Sequence, residues 1–483
     1  MVGAHAQPAV TKPAFCGLDR FPAFLQRGEV PAVTLPAHDP QSTTCGIERQ
    51  PGSHREDLEG LVPAEVGRTV NAVGEHVTEW ESVDGYHRSS HPVIYGMTQL
   101  VYLDHAATTP VRDEVMAAMA PFFGPRFGNP SSVHRWGREA RVALDEARER
   151  LADCLGAQAD EVCFTSGGTE GDNLAVLGVA RTLRDSGRTV AITTPAEHKA
   201  ILEAVHQVAR EGGQARLLRL TADGVVDRED YATHLDTRVA IVSVMWANNE
   251  TGVLQDVPAL AVDAKVVGAV FHTDAVQAFG KVDIKANAMP FDLLTLSGHK
   301  IGAPKGIGAL FIRRGTPLSP IFHGGSQDRG RRPGTENVAF AVGLATAAEL
   351  IIAEQAIEGA RVRTMRDTLE AQLRERIPDI VIHGAGASRA PHITNVSIPG
   401  TDSESMLMAL DLRGIAMSGG SACQSGSLSA SHVLSAMGVT PALTSAALRI
   451  SLGTLSNGSS VERVVSVLSA LALKARGVPA AVA

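Results

Sequence analysis

Two segments of this sequence hold residues that could do chemistry together. Lys300 ends the stretch 297–300, a run of small residues and a histidine that follows an apolar, strand-like segment. A lysine in such a place can form a Schiff base, because desolvation lowers its pKa toward the neutral, nucleophilic form. Cys423 stands far along the chain in the Gly/Ser-rich stretch 418–426, where a thiol could swing as a nucleophile. A surface lysine and an incidental loop cysteine are the plainer alternatives.

A glycine-rich turn, 165–173, follows one predicted strand and opens a predicted helix. Gly168 lets the backbone approach a ligand closely, the helix N-terminus offers N–H groups to an anion, and Thr169 adds a hydroxyl. If that anion is a phosphate, Ser297 and His299 could also donate hydrogen bonds to it. Taken alone, the turn is equally well explained as an ordinary helix start with Ser/Thr capping. It matches neither a Walker A loop nor a GxGxxG fingerprint.

Three further polar residues follow predicted strands or lie in loops. Asp274 would lie at the carboxyl end of a strand, where a buried carboxylate needs a cationic partner such as a protonated pyridine nitrogen. It could equally cap the next helix. His198 offers a ring that could stack on a cofactor and move protons, although a lone histidine is more often structural. Asn249 suits a ligand's hydroxyl or carboxylate, or a simple turn.

The elements that would position these residues alternate between strand and helix from Met97 onward. This alternation predicts an α/β fold with a mostly parallel sheet, whose ligand sites lie at the carboxyl ends of strands. A long helical stretch is followed by shorter elements, so we expect a large domain over 97–357 and a smaller α+β domain over 358–483. The first ~15 residues after Met97 are expected to pack with the small domain.

Residues 1–96 differ from the rest of the chain. They are rich in proline and show no sustained helical or alternating period. Such a composition buries too little apolar surface to offset the entropy of ordering, so we expect mostly disorder. The alternative is that the natural start is Met97 and that the stretch is a misassigned extension.

Composition narrows the classes of function. A net charge of −8 argues against broad nucleic-acid binding by phosphate neutralisation. No apolar run reaches the roughly 18 residues of a membrane-spanning helix, and no secretory signal pattern is present. The five cysteines are dispersed and odd in number, which indicates neither a disulfide framework nor a CxxC metal site. We therefore expect a cytoplasmic protein that binds no metal and no membrane.

The motifs together carry a resemblance to a known family. From Met97 to about Gly477 the chain resembles the class V aminotransferase superfamily, and most closely its cysteine desulfurases of the NifS/IscS type. Order and approximate spacing both match. The matching segments are 102–110, 127–132, 164–173, 197–199, 248–250, 274–277, 297–300, 323–325 and 421–423. The resemblance implies a homodimer with the fold type I architecture of aminotransferases that use pyridoxal 5'-phosphate.

The resemblance also implies a role for each matching residue. Those that would bind the cofactor are Lys300 by a covalent bond, Asp274 at the pyridinium, His198 stacked on the ring, Gln277 and Asn249 at the ring hydroxyl, and Gly168, Thr169, Ser297 and His299 at the phosphate. Thr335 would reach the phosphate held by the partner subunit. Arg449, with Asn249, would bind the substrate, its guanidinium clamping the carboxylate. Lys300, His198 and Cys423 would be the catalytic residues.

The implied reaction converts L-cysteine to L-alanine, with the sulfur passed to Cys423 as a persulfide. An acceptor protein, either a scaffold or a thiolation enzyme, would then take the sulfur for iron–sulfur clusters, tRNA thiolation or another thiocofactor. The alternatives are a selenocysteine lyase or an aminotransferase on the same scaffold. Aminotransferases do not need Cys423, so that residue separates them. A non-enzymatic scaffold is disfavoured because the lysine, aspartate, histidine and cysteine are retained together.

Overall fold

The computed structural model describes residues 100–419 and 430–477. The helices of this part of the chain are α1 (Asp113–Met119), α2 (Arg135–Leu155), α3 (Gly168–Leu183), α4 (Lys199–Arg210), α5 (Arg228–His234), α6 (Val257–Val266), α7 (Val338–Arg376), α8 (Ser403–Asp411), α9 (His432–Ala436), α10 (Pro441–Ser445) and α11 (Gly458–Ala475). Cys423 and the stretch 1–96 lie outside the described residues, so the expectations for them stay predictions.

The strands belong to three sheets. They are β1 (Val101–Tyr102), β2 (Val162–Thr165), β3 (Val190–Thr193), β4 (Gln214–Leu217), β5 (Val239–Ser243), β6 (Val270–Asp274), β7 (Leu293–Ser297), β8 (Gly308–Ile312), β9 (Val381–Ile382), β10 (Ile393–Ser397), β11 (Ile415–Ala416), β12 (Ser418–Gly419) and β13 (Ala447–Ser451). The largest has seven strands in the order β2-β8-β7-β6-β5-β3-β4.

The seven-stranded sheet is mostly parallel, as the alternation of elements predicts. Strands β4, β3, β5, β6 and β7 pair in parallel, whereas β8 runs antiparallel to both β7 and β2. Every residue of β5, β6 and β7 is buried, because helices cover both faces of the sheet. The α/β fold class expected from the sequence is therefore confirmed.

Strand ends bring three of the predicted motifs to one edge of this sheet. Strand β6 ends at Asp274, and β7 ends at Ser297, just before Lys300. Helix α3 begins at Gly168, three residues after β2 ends at Thr165. Strands β6 and β7 are parallel neighbours, and β2 runs in the same direction because β8 is antiparallel to both β7 and β2. The carboxyl ends of all three strands therefore lie at the same edge of the sheet.

The C-terminal part of the chain forms a four-stranded antiparallel sheet in the order β12-β13-β10-β9. A two-stranded parallel sheet joins β1 to β11, with Val101 opposite Ile415. Val101 and Leu103 belong to the hydrophobic core of this C-terminal part. The start of the described chain therefore packs with its end, while the boundary between 357 and 358 stays a prediction.

Helix α7 passes through that boundary without a break. Its first half buries Leu344 and Ala348 in the core of the large sheet, and its second half buries Leu369 and Leu373 in the second core. By length and composition it contains a window apolar enough to cross a membrane, with a mean hydropathy of 1.5. Core helices of soluble proteins pass the same test, and this helix has buried residues along both halves.

Candidate active site

A cavity of about 300 Å³ lies at the carboxyl edge of the large sheet. Within the described chain, every residue predicted to bind cofactor or substrate lines it, except Thr335. These residues are Gly168, Thr169, His198, Asn249, Asp274, Gln277, Ser297, His299, Lys300 and Arg449. Thr335 is exposed on the loop before α7 and lies outside this cavity. The arrangement brings together an amine, a buried carboxyl, a guanidinium and a helix N-terminus.

Lys300 reaches the cavity from a short turn of 3₁₀ helix that follows β7. Its Nζ donates to the carbonyl oxygens of Ala106 and Ala107, at 2.8 and 2.6 Å. These two carbonyls belong to the segment after β1, so the N-terminal end of the described chain holds the amine in place. An amine held by two carbonyl acceptors is oriented into the cavity before any ligand arrives.

Asp274 is a buried carboxyl at the end of β6. One of its oxygens accepts from the backbone N–H of Val276 at 2.8 Å. The residues that follow, 275–280, form no helix, so the alternative that Asp274 caps the next helix is wrong. Burial raises the pKa of Asp274, while the Val276 N–H and the charges of His198 and Lys300 act against that rise. A cationic ring nitrogen would provide the partner that a buried carboxylate requires.

Backbone conformation and the hydrogen bonds of Glu170 fix the glycine-rich turn. Gly167 has a φ of 154°, a conformation that side chains other than hydrogen rarely allow. The carboxylate of Glu170 accepts from the N–H of Ser166 at 2.8 Å and from Nε of Arg332 at 2.9 Å. The helix start is thereby fixed with Thr169 at the cavity, where an anion can meet free N–H groups.

Two further groups lie beside this turn. The hydroxyl of Ser297 lies within 4 Å of the position that a Cβ on Gly167 would occupy. His299 makes a 3.2 Å hydrogen bond between its Nδ1 and the hydroxyl of Thr108. Burial and the nearby Lys300 charge lower the pKa of His299 to about 4, so its ring is neutral at neutral pH. It can therefore offer one N–H to an anion.

Arg449 enters the cavity from β13 of the second sheet and is almost fully buried. Its Nη1 donates to the carbonyl oxygen of Asn249 at 2.9 Å, and its Nη2 donates to Oδ1 of Asp104 at 2.8 Å. The guanidinium Nε has no hydrogen-bond partner among the described residues. A small carboxylate is the natural ligand for a buried guanidinium with a free donor.

Sequence reasoning missed Asp172, which also lines the cavity. It lies one helical turn after Gly168 and so faces the same side, a spacing that could have revealed it. Its side chain is fully enclosed, and burial together with Asp274 raises its pKa well above the usual value. Glu197, the neighbour of His198, is similarly enclosed, and burial raises its pKa to about 8. Burial thus raises the pKa of two carboxyls, one lining the cavity and one next to His198 in the sequence.

The described residues on either side of the 420–429 gap are anchored beside the cavity. Ser418, before the gap, pairs across the sheet with Arg449. After it, Nε2 of His432 lies 3.0 Å from the carbonyl oxygen of Glu197, next to His198 in the sequence. Cys423 itself lies outside the described residues.

The residues present fit pyridoxal phosphate. The cavity is at the small end of the usual range for ligand sites, roughly 300–1,000 Å³. An amine, a buried carboxyl and a helix start with hydroxyls match an aldehyde, a ring nitrogen and a phosphate respectively. The alternative that Lys300 is a surface lysine is wrong, because the residue is half-buried and its Nζ donates hydrogen bonds inside the cavity.

Comparison with known proteins identifies the family. The family model of aminotransferase class V matches residues 101–464 of this chain. Cysteine desulfurase IscS of Dictyoglomus turgidum is 43% identical over 380 residues, which cover 79% of this chain and 96% of that protein. A solved structure of a NifS-like protein matches with a TM-score of 0.73 and 33% identity, covering 77% of this chain and 99% of the other. A structure of SspA in complex with cysteine matches with a TM-score of 0.64 and 32% identity, covering 73% and 99%. This chain belongs to the aminotransferase class V family.

Proposed function

We propose that this chain is a pyridoxal-phosphate-dependent cysteine desulfurase, which converts L-cysteine to L-alanine and passes the sulfur through Cys423 to an acceptor protein. The observation that carries the proposal is the meeting of Lys300, Asp274 and Arg449 in one cavity. A lysine and a buried carboxyl suit the cofactor, and an arginine suits an amino-acid carboxylate. The relatives named cysteine desulfurase, and a similar protein solved in complex with cysteine, support this substrate.

The cofactor would be held by residues at or just after the ends of β6 and β7, at the start of α3, at the N-cap of α4 and in the loop after β5. Lys300 would bind it covalently, Asp274 would pair with its ring nitrogen, and His198 would stack on the ring. Asn249 and Gln277 would bond the ring hydroxyl, whereas Gly168, Thr169, Ser297 and His299 would hold the phosphate. When bound, pyridoxal phosphate supplies an electron sink for bond breaking at the substrate's Cα. Its protonated ring nitrogen would give the buried Asp274 carboxylate a cationic partner.

Arg449 would orient the substrate. Its guanidinium is fixed by Asp104 and by the Asn249 carbonyl, so little side-chain entropy remains to be lost when a carboxylate binds. The burial of Arg449 also keeps water away from the guanidinium that would bind the carboxylate.

Lys300 would move the proton of the substrate's Cα, because its Nζ is the amine held inside the cavity. The Cys423 thiolate would attack the substrate sulfur: the S–S bond forms, the substrate C–S bond breaks, and alanine is released after protonation. A free thiol has a pKa of about 8.5, so Cys423 needs a proton acceptor, for which His198 and the substrate amine are the candidates. The anchoring of Ser418 and His432 beside the cavity supports a thiol that works there.

The same proposal includes the oligomeric state of the chain, its location and the acceptor of the sulfur. The chain would act as a homodimer in the cytoplasm, and exposed Thr335 would reach the phosphate held by the partner subunit. The persulfide sulfur would pass to a scaffold for iron–sulfur clusters or to a thiolation enzyme. No membrane and no nucleic acid is needed for such a transfer.

The test is the release of alanine and sulfide from L-cysteine in the presence of a reductant. The full chain should release both in equal amounts, and Cys423→Ala should release neither at a comparable rate. Cys154→Ala is the matched control, because Cys154 is buried and burial raises its thiol pKa to about 11. Binding of the cofactor without product release, or a Cys423→Ala variant as active as wild type, would sink the desulfurase proposal.

A further inference from the structure

A second, smaller cavity of about 60 Å³ lies behind Lys300, which lines both cavities. Its wall includes His105, Lys281 and His392, facing helix α7. Both histidines are 4% exposed. Within the described residues, neither ring nitrogen of His105 has a hydrogen-bond partner, and Nδ1 of His392 has none. Buried imidazoles in this state need donors or acceptors from within the cavity.

His392 connects this second cavity to the cofactor cavity through Gln277. The Gln277 amide nitrogen donates to the carbonyl oxygen of Ala106 at 2.8 Å. Its amide oxygen lies 3.3 Å from Nε2 of His392. A carbonyl only accepts, so the nitrogen of Gln277 has to face Ala106 and its oxygen has to face His392. It follows that His392 donates from Nε2 and carries its proton there.

The surroundings of His392 favour this neutral tautomer. Burial lowers its pKa well below 6.5, and the charges of Lys281, Arg449 and Arg366, with the ring of His105, act in the same direction. Nδ1 is then an acceptor at the smaller cavity. That cavity exceeds the roughly 10–15 Å³ that one water needs, so a water can donate to Nδ1. The ammonium of Lys281 is a second possible donor at the same cavity.

We propose that His392 is a positioning residue, which holds Gln277 so that its amide presents an N–H donor, and not its carbonyl, to the cofactor cavity. With one N–H of Gln277 on Ala106, the other remains for the ring hydroxyl oxygen of pyridoxal phosphate. A donor at that oxygen stabilises its ionised form, whereas a carbonyl would repel it. The inference rests on the proposed function, because it concerns how the same cofactor is held.

The experiment is a double-mutant cycle on the dissociation constant of pyridoxal phosphate from the full chain. His392→Leu removes the donor at similar volume, and His392→Gln keeps an N–H at a similar reach. We expect His392→Leu to weaken cofactor binding about ten-fold and to shift the visible absorbance band of the bound cofactor, and His392→Gln to restore most of both. In a Gln277→Leu background, His392→Leu should weaken cofactor binding less than about three-fold, because the residue through which His392 acts is gone.

Each result bears on one claim. Equal losses from His392→Leu in the two backgrounds would overturn the inference, since His392 would then act on something other than Gln277. So would wild-type affinity in His392→Leu. If the leucine variant does not fold, as thermal unfolding of the cofactor-free chain would show, His392→Met replaces it in the cycle, because methionine adapts to irregular space. A wild-type chain that binds no pyridoxal phosphate would instead refute the proposed function.

Discussion

Arg449 and Asp104 form an ion pair, 2.8 Å between Nη2 and Oδ1, that joins the second sheet to the segment after β1. The arginine is 1% exposed and the aspartate side chain 18%. Asp104 also makes a parallel bridge with Ser451, on the same strand as Arg449. Arg449, which is proposed to bind the substrate, is thus already oriented by Asp104. The carboxylate of Asp104 offsets part of the positive charge at the cavity and fixes the geometry of the guanidinium.

Replacing Arg449 with lysine should raise the KM for L-cysteine more than about ten-fold while changing kcat less, because a single ammonium cannot copy the planar, forked donors. Steady-state kinetics of alanine formation measure both constants. Arg361→Lys is the control, since Arg361 also donates to backbone carbonyls, of Ser456 and Gly453, but lies outside the cofactor cavity. A fall in kcat at unchanged KM would contradict substrate binding by Arg449.

Replacing Lys300 with alanine should abolish covalent attachment of the cofactor and lower the rate of alanine formation more than about 1,000-fold, because a group that acts in the chemical step is lost. Mass spectrometry after borohydride reduction shows whether the cofactor stays attached. Lys305→Ala is the matched control, an exposed lysine in the following loop. Attachment of the cofactor to Lys300→Ala would show that another amine holds it.

Glu197 should make the protein less stable as pH rises. Burial raises its pKa from 4.5 to about 8 in the folded protein, so the folded state binds a proton that the unfolded state has released. Between these two pKa values the free energy of unfolding therefore falls with increasing pH, and the stabilisation present at low pH is lost above about pH 8. Buried Glu250, whose pKa is raised to about 7, acts in the same direction.

The variant that tests this is Glu197→Gln, which keeps the oxygen that accepts from Met245 and Thr194. Its free energy of unfolding should fall less between about pH 5 and about pH 8 than that of the wild type, as urea titrations at each pH can measure. Glu203→Gln, on the exposed face of α4, should leave the pH dependence unchanged. If the free energy of unfolding of Glu197→Gln fell with pH as steeply as that of the wild type, Glu197 would be ionised in the folded protein.

Removing the carboxylate of Asp328 should cost about 3–5 kcal/mol of stability, because Arg148 would be left buried without its charge partner. Asp328 also accepts from the backbone N–H of Phe164 at 3.1 Å. Chemical denaturation of Asp328→Ala measures the loss. Asp379→Ala removes a comparable but exposed pair with Arg476 and should cost less than about 1 kcal/mol. Similar losses in the two variants would argue against a special role for burial.

Much of the site follows from local sequence pattern. Asp274 and Lys300 come at or just after the ends of apolar strands, and Gly168 opens a helix. Parallel strands place their carboxyl ends at one edge, so a correct reading of strands and helices is enough to predict that these groups meet. The helix begins at Gly168, inside the glycine-rich turn that is predicted to open it.

Other relationships could be decided only by tertiary structure. Arg449 and Asp104 are 345 residues apart, and His392 and Gln277 are 115 apart, so no local period connects them. Their pairing depends on how the second sheet packs against the ends of the large one. The raised pKa values of Asp172 and Glu197 likewise depend on enclosure by distant segments. The sequence by itself determined that Asp274, Lys300 and the helix start at Gly168 meet at one edge of the sheet, because residue type and strand ends are local properties. Tertiary packing decided their charges and partners, because burial and hydrogen bonding are set by residues far away in the chain.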